Sequence, residues 1–119
     1  MRLSMEKDLP IHDPTIALEA TGGDTDLADI LMDTCLEESP KIIGEAREAI
    51  SGDDLAAARR CGHSLKSSFG AVGAMKAAAA SQNLEFLEGE DRDVFESAIE
   101  AVENAFQDLK GHMGKSNPG

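Results

Sequence analysis

Residues 59–74 read RRCGHSLKSSFGAVGA. Wound as a helix at about 100° per residue, this segment and the turn before it place their apolar side chains on one face. That face consists of Leu55, Ala58, Gly62, Leu65, Phe69 and Val72. His63 points away from it, and its helical neighbours at three and four positions are Arg59, Arg60, Lys66 and Ser67. The pattern therefore predicts an amphipathic helix that exposes an imidazole among cations and small side chains.

Other parts of the chain also show helical periodicity. The five predicted helices run over about residues 13–20, 24–50, 53–70, 74–88 and 91–110. Capping residues stand at several of their starts, as where Asp13 precedes Pro14, and glycines lie near several of their ends. No segment alternates like a strand, so we expect an all-α fold, an antiparallel four-helix bundle with a short additional N-terminal helix. Residues 1–12 are predicted to be a mobile leader, 13–110 the bundle and 111–119 a disordered tail.

Length and composition exclude several classes of function. The 119 residues predict a single domain with a net charge of −12, which argues against nucleic acid as a partner. No apolar run approaches the roughly 18 residues of a membrane span, and the first ten residues lack the apolar region of a secretory signal. Cys35 and Cys61 lie on predicted apolar faces and are interpreted as buried thiols. These features lead us to expect a cytoplasmic protein without a membrane partner.

The charges are distributed unevenly along the chain. Residues 55–84 contain four cations and no acid, so the other residues carry a net charge of −16. A cationic island around an exposed His63 would favour a phosphoryl group on the imidazole and an acidic site on a partner. The acidic remainder would discourage docking elsewhere.

The segment around His63 resembles the phosphorylation-site signature of histidine-containing phosphotransfer (HPt) domains, roughly H-x-L-K-G-S/A-S/A-x-x-hydrophobic-G-A/L. Seven positions fit this pattern: His63, Leu65, Lys66, Ser68, Val72, Gly73 and Ala74. Ser67 replaces the usual glycine, and Phe69 stands where a small residue is common. Outside the signature the resemblance is one of helical pattern over about residues 13–110.

The resemblance implies that His63 takes a phosphoryl group through Nε2 from a receiver-domain aspartyl phosphate and passes it to another receiver. The implied partners are response-regulator receiver domains and a hybrid histidine kinase, and the Mg²⁺ of the reaction would belong to the receiver. No cofactor is expected in this chain. Since no segment fits a phosphate-binding loop, we expect a phosphoryl carrier without kinase or ATPase activity of its own.

The cations near His63 are candidate stabilisers of phosphoryl charge. Lys66, together with Arg59 or Arg60, is expected to stabilise that charge during transfer. The same cations penalise a protonated imidazole, so we expect His63 to be largely neutral and nucleophilic near pH 7.

Small side chains are candidate partner contacts. These are Ala56, Ser67 and Gly70. Gly70 lies two helical turns beyond His63 on the same side, and it either ends the helix or keeps the surface flat for a docking receiver.

Other chemistry has little support in the sequence. No second His or Cys stands three or four positions from His63, so a zinc site is not expected. No acid lies within one helical turn of His63, which argues against a Ser-His-Asp site. His12 and His112 fall in the predicted leader and tail and are assigned no role.

Two alternatives to a phosphorelay intermediate stay open. One is the dimerisation and phosphoacceptor region of a histidine kinase, although Ser64 stands where those kinases usually place an acid. An obligate dimer would favour it, whereas we expect a monomer. The other is a non-catalytic acidic helical adaptor, which failure of phosphorylation by any receiver would favour.

Overall fold

The computed structural model describes residues 9–116, with side chains placed through residue 114. Within that range the chain forms five helices and no strand. They are α1 Pro14–Ala20, α2 Thr25–Ser51, α3 Leu55–Ala71, α4 Met75–Glu85 and α5 Arg92–Ser116. The predicted all-α fold class is confirmed. No helix in the described part of the chain is long and apolar enough to cross a membrane.

Aspartate side chains cap the first three helices. Asp13, Asp24 and Asp54 each accept a hydrogen bond from a backbone N–H in the first helical turn, at 3.0 to 3.1 Å. Such caps satisfy donors that have no partner within the helix. The N-cap predicted at Asp13 is therefore present, with Pro14 as the first helical residue.

Helices α2 to α5 pack in a ring, in which each has its most extensive contacts with the two helices beside it. Connections of three residues join α2 to α3 and α3 to α4, and such short links between packed helices make the neighbours antiparallel. Leu65 and Phe69 of α3 are fully buried in the shared core, where the Phe69 ring lies 6.2 Å from that of Phe106. Helix α1 packs outside the ring, against α2 and α3.

The predicted C-terminal boundary is wrong. We expected the last helix to end before Gly111, but α5 continues to Ser116, and residues 117–119 lie outside the described part of the chain. Met113 packs against the core, which supports the additional turns. His112 lies beside His12 with the ring centroids 6.0 Å apart.

The predicted leader is partly described. Residues 1–8 lie outside the described range, whereas the Pro10 carbonyl accepts a hydrogen bond from the Lys76 N–H at 3.3 Å. This contact holds residues preceding α1 against the start of α4.

Gly73 forms the bend between α3 and α4. Its φ of 78° lies in the left-handed region, and a Cβ at this position would come within 2.2 Å of the Asp13 carbonyl oxygen. The Gly73 carbonyl in turn accepts a hydrogen bond from the Asp13 N–H at 2.8 Å. Only glycine fits this turn without displacing the cap of α1.

Candidate functional site

His63 lies in the middle of α3 with its side chain 62% exposed. The neighbours Gly62 and Leu65 are buried, because the apolar face of α3 packs into the bundle. The helix therefore presents the imidazole to solvent from a backbone that is fixed by the core.

The imidazole has an acidic neighbour that the sequence analysis missed. His63 Nδ1 lies 2.7 Å from Oε2 of Glu85, the last residue of α4. The sequence analysis did not identify this acid, because it considered only residues within one turn of His63 on the same helix. Glu85 is 22 residues away in sequence and reaches His63 across the contact between α3 and α4.

This contact determines which imidazole nitrogen carries a proton. The pKa of Glu85 is lowered by its contact with Lys66 and, to a smaller extent, by its hydrogen bond with His63, so the carboxylate is ionised near neutral pH. An ionised carboxylate can only accept hydrogen bonds. Nδ1 therefore donates, which in a neutral ring leaves the lone pair on Nε2.

Lys66 contacts the other oxygen of the same carboxylate. Its Nζ lies 2.9 Å from Glu85 Oε1, an atom enclosed from solvent with no hydrogen-bond donor aligned on it. The ion pair places a cation one helical turn beyond His63. Glu85 thus connects the histidine and the lysine that the sequence analysis identified.

Gly62 allows this close approach of two helices. A Cβ at Gly62 would lie 2.7 Å from the Glu85 backbone nitrogen and 3.0 Å from the Ser81 carbonyl oxygen. Both neighbours are backbone atoms, so a side chain here would push α4 away from α3. Helical periodicity in the sequence gave no sign that Glu85 would face His63.

Arg59 is held by backbone carbonyls. Its Nε donates to the Leu87 carbonyl at 2.8 Å, and a terminal nitrogen donates to the Gly89 carbonyl at 2.6 Å. The guanidinium carbon also lies 4.9 Å from the centre of the Phe95 ring. Arg59 therefore ties α3 to the connection between α4 and α5, which reduces the support for its predicted role in phosphoryl transfer.

A shallow depression opens beside His63. It is lined by Arg59, Arg60, His63, Ser64, Glu85 and Phe86. Arg60 is exposed at its edge, whereas the Phe86 ring, which the sequence analysis did not identify, is 61% exposed.

The structure distributes the predicted partner contacts along α3. Ser67 and Ala56 are exposed, and Ala56 lies in a separate surface depression with Asp54 and Glu90. Gly70 is inside α3 without a positive φ, and a Cβ there would meet nothing within 4 Å. Gly70 therefore does not end the helix through a left-handed turn, a role that belongs to Gly73.

The remaining reactive groups are dispersed. Among residues 9–114, no group of three or more His, Cys, Asp or Glu side chains could hold a metal ion. Cys35 is buried and Cys61 half-buried, and burial raises the pKa of both thiols. The two cysteines are therefore poor nucleophiles at neutral pH.

The chain matches the model of a known protein family. A search of curated proteins and a search of solved structures each found no match. A family model described as Hpt domain matches residues 30–112, a range that includes His63, Lys66 and Glu85. Hpt domains act in histidine phosphotransfer and interact with the receiver domains of two-component systems. Because the match covers most of the chain and the helical bundle is that of the family, this chain belongs to the Hpt domain family.

Proposed function

We propose that the protein is a phosphorelay intermediate that carries the phosphoryl group on His63 Nε2. It would receive this group from the aspartyl phosphate of one receiver domain, such as that of a hybrid histidine kinase, and pass it to a second receiver. The observation that carries the proposal is the 2.7 Å contact between Nδ1 and Glu85, which leaves Nε2 as the nucleophilic nitrogen on an exposed ring.

The transfer step is a displacement at phosphorus. The Nε2 lone pair forms the bond to phosphorus while the bond to the aspartate oxygen breaks, and the receiver recovers its carboxylate. The imidazole ring becomes cationic while Nδ1 keeps its proton. Glu85 stabilises that cation through the existing hydrogen bond, as a carboxylate does for a catalytic imidazolium. The same steps in reverse deliver the phosphoryl group to the second receiver.

Lys66 is proposed to stabilise the phosphoryl oxygens during transfer. In the structure its ammonium contacts Glu85, so it is already placed beside the imidazole. Electrostatic stabilisation by a positioned cation is the main contribution that a protein makes to phosphoryl transfer. Arg60, exposed at the edge of the depression, would add positive potential for an incoming acidic receiver.

Replacement of Glu85 tests the proposal. The protein is incubated with phosphorylated receiver domains of the source organism, and acid-labile phosphate is measured over time. Glu85→Gln keeps the size of the side chain but allows an amide N–H to face Nδ1, so we expect transfer to slow by about tenfold to a hundredfold. The ¹⁵N shifts of His63 should move toward the other tautomer. Failure of the wild-type protein to accept phosphate from any receiver would refute the proposal and favour an adaptor.

The oligomeric state separates the proposal from a kinase dimerisation region. We expect a monomeric protein of the cytoplasm. The monomer is expected because Glu85 contacts both His63 and Lys66 within a single chain, so the site needs no second subunit. Native mass spectrometry would measure this directly, and an obligate dimer would contradict it.

A further inference from the structure

Phe86 differs from the other phenylalanines of this protein. The chain has four phenylalanines, and Phe69, Phe95 and Phe106 are at most 2% exposed. Phe86 is 61% exposed, more than any other large apolar side chain in the described part of the chain. Single exposed apolar residues are common on protein surfaces, so exposure alone assigns no role.

The position of Phe86 makes its exposure informative. It directly follows Glu85 and lines the depression that contains His63. Its backbone N–H donates to the Gln82 carbonyl at 3.0 Å and caps α4, so the ring projects from an anchored backbone. Aromatic side chains, Phe included, are enriched in protein–protein interfaces relative to the rest of the protein surface.

Charge restricts the kind of partner that fits this surface. Lys66 Nζ lies 5.2 Å from the centre of the Phe86 ring, and Arg59 and Arg60 line the same depression. The depression is lined by two cations, Arg59 and Arg60, and by one acid, Glu85, so it is net positive on a chain whose total net charge is −12. The surface therefore favours a partner with apolar area bordering an acidic pocket, which is the chemistry of a receiver's Mg²⁺-binding phosphorylation site.

We infer that Phe86 is the apolar anchor on which a receiver domain docks to bring its aspartyl phosphate to His63. This inference rests on the proposed function and adds a binding residue to it. Phe86 would bury its ring against the receiver, while His63 and Lys66 act on the phosphoryl group. Its contribution is to affinity, since the ring carries no group that takes part in the chemical step.

The test compares Phe86→Ala with Val94→Ala. Val94 is also apolar and 44% exposed, but it lies in α5 and does not line the depression. The Kd for a receiver that phosphorylates the wild-type protein, kcat/KM for transfer, and the single-turnover rate at saturating receiver are measured. Phe86→Ala should raise Kd and lower kcat/KM by about tenfold or more. The saturated rate and phosphorylation by phosphoramidate should stay within about twofold of wild type.

Several results would overturn the inference. One is a Kd of Phe86→Ala within about twofold of wild type. Another is a loss of receiver affinity in Val94→Ala equal to that in Phe86→Ala. A third is an equal slowing of Phe86→Ala phosphorylation by phosphoramidate and by the receiver. A wild-type dimer that Phe86→Ala converts to monomer would assign the ring to self-association instead. Failure of the wild-type protein to accept phosphate on His63 would refute the proposed function itself, and so is distinguishable from these outcomes.

Discussion

His63 and His12 occupy opposite electrostatic environments in one small bundle. His63 is exposed and donates from Nδ1 to the carboxylate of Glu85. His12 is partly buried and lies beside a second imidazole, that of His112. Burial and the neighbouring His112 lower the pKa of His12.

The difference shows how neighbours give a histidine its role. A carboxylate fixes the proton on one nitrogen and leaves the lone pair on the other, whereas burial beside another imidazole disfavours the charged ring. Exposure and one hydrogen-bond partner are therefore more informative about function than the residue type.

Replacing each imidazole in turn should have very different effects on phosphoryl acceptance. His63→Gln is expected to abolish phosphoryl acceptance with little change in melting temperature, since exposed polar substitutions usually change stability by less than about 0.5 kcal/mol. His12→Gln should retain acceptance. Acid-labile phosphate measured after incubation with a phosphorylated receiver tests both variants, and phosphate persisting on His63→Gln would place the acceptor elsewhere.

Lys66→Ala tests the cation that shares Glu85 with His63. We expect transfer to slow by about tenfold to a thousandfold, the range for losing one electrostatic stabiliser, without being prevented. Lys110→Ala is the matched control, because its ammonium lies 5.8 Å from the centre of a Phe106 ring on α5 and does not line the His63 depression. Wild-type rates for Lys66→Ala would remove the lysine from the mechanism.

Substitutions at two glycines of α3 separate a packing role from a docking role. Gly62→Ala should lower the free energy of unfolding by about 1–3 kcal/mol, because the added methyl group meets the backbone of α4, and should weaken the contact between His63 and Glu85. Gly70→Ala has open space and should stabilise the helix by about 1 kcal/mol. Denaturant unfolding and His63 ¹⁵N shifts measure these effects, and equal responses of the two variants would contradict the packing account.

Gly70→Gln then tests docking clearance at that position. The variant should keep or raise its melting temperature and keep its reaction with phosphoramidate, but accept phosphate more slowly from a receiver. Lower stability with unimpaired receiver transfer would refute a docking role for Gly70.

His12 should give the folded protein a weak pH dependence of stability. The pKa of His12 is lowered in the folded state, so on acidification the unfolded chain takes up a proton near the ordinary histidine value of 6.5, before the folded protein does. The contribution of His12 to the free energy of unfolding should therefore be fully present above about pH 6.5, and it should fall slightly as the pH decreases through the folded-state pKa. Glu85 and Asp13 also have lowered pKa values, but their ordinary values are 4.5 and 3.8, so the stability that they contribute is lost only at more acidic pH.

Thermal unfolding at pH 7.5 and pH 5.5 measures the histidine contribution. His12→Gln should reduce the difference between the two melting temperatures. An unchanged difference in that variant would assign the pH dependence to other groups.

Local sequence determined the helices and the exposure of His63. Apolar spacing predicted which face of α3 is buried, and Asp13 with Pro14 predicted the start of α1, because both depend on interactions within a few residues. The signature around His63 also identified the family. The start of α1 and the buried face of α3 depend on local backbone geometry and require no knowledge of tertiary contacts, whereas the family was identified by the resemblance of the signature.

The residues that surround the imidazole are set by tertiary packing and could not be predicted from the local sequence. Glu85 reaches His63 because α3 and α4 approach closely at Gly62, and Arg59 donates to the carbonyls of Leu87 and Gly89, about 30 residues away in sequence. Helix α5 likewise passes Gly111 because Met113 gains core contacts that offset the weak helix propensity of glycine. Each outcome depends on contacts between segments distant in sequence, whose relative distance and rotation are set by the packing of the entire bundle.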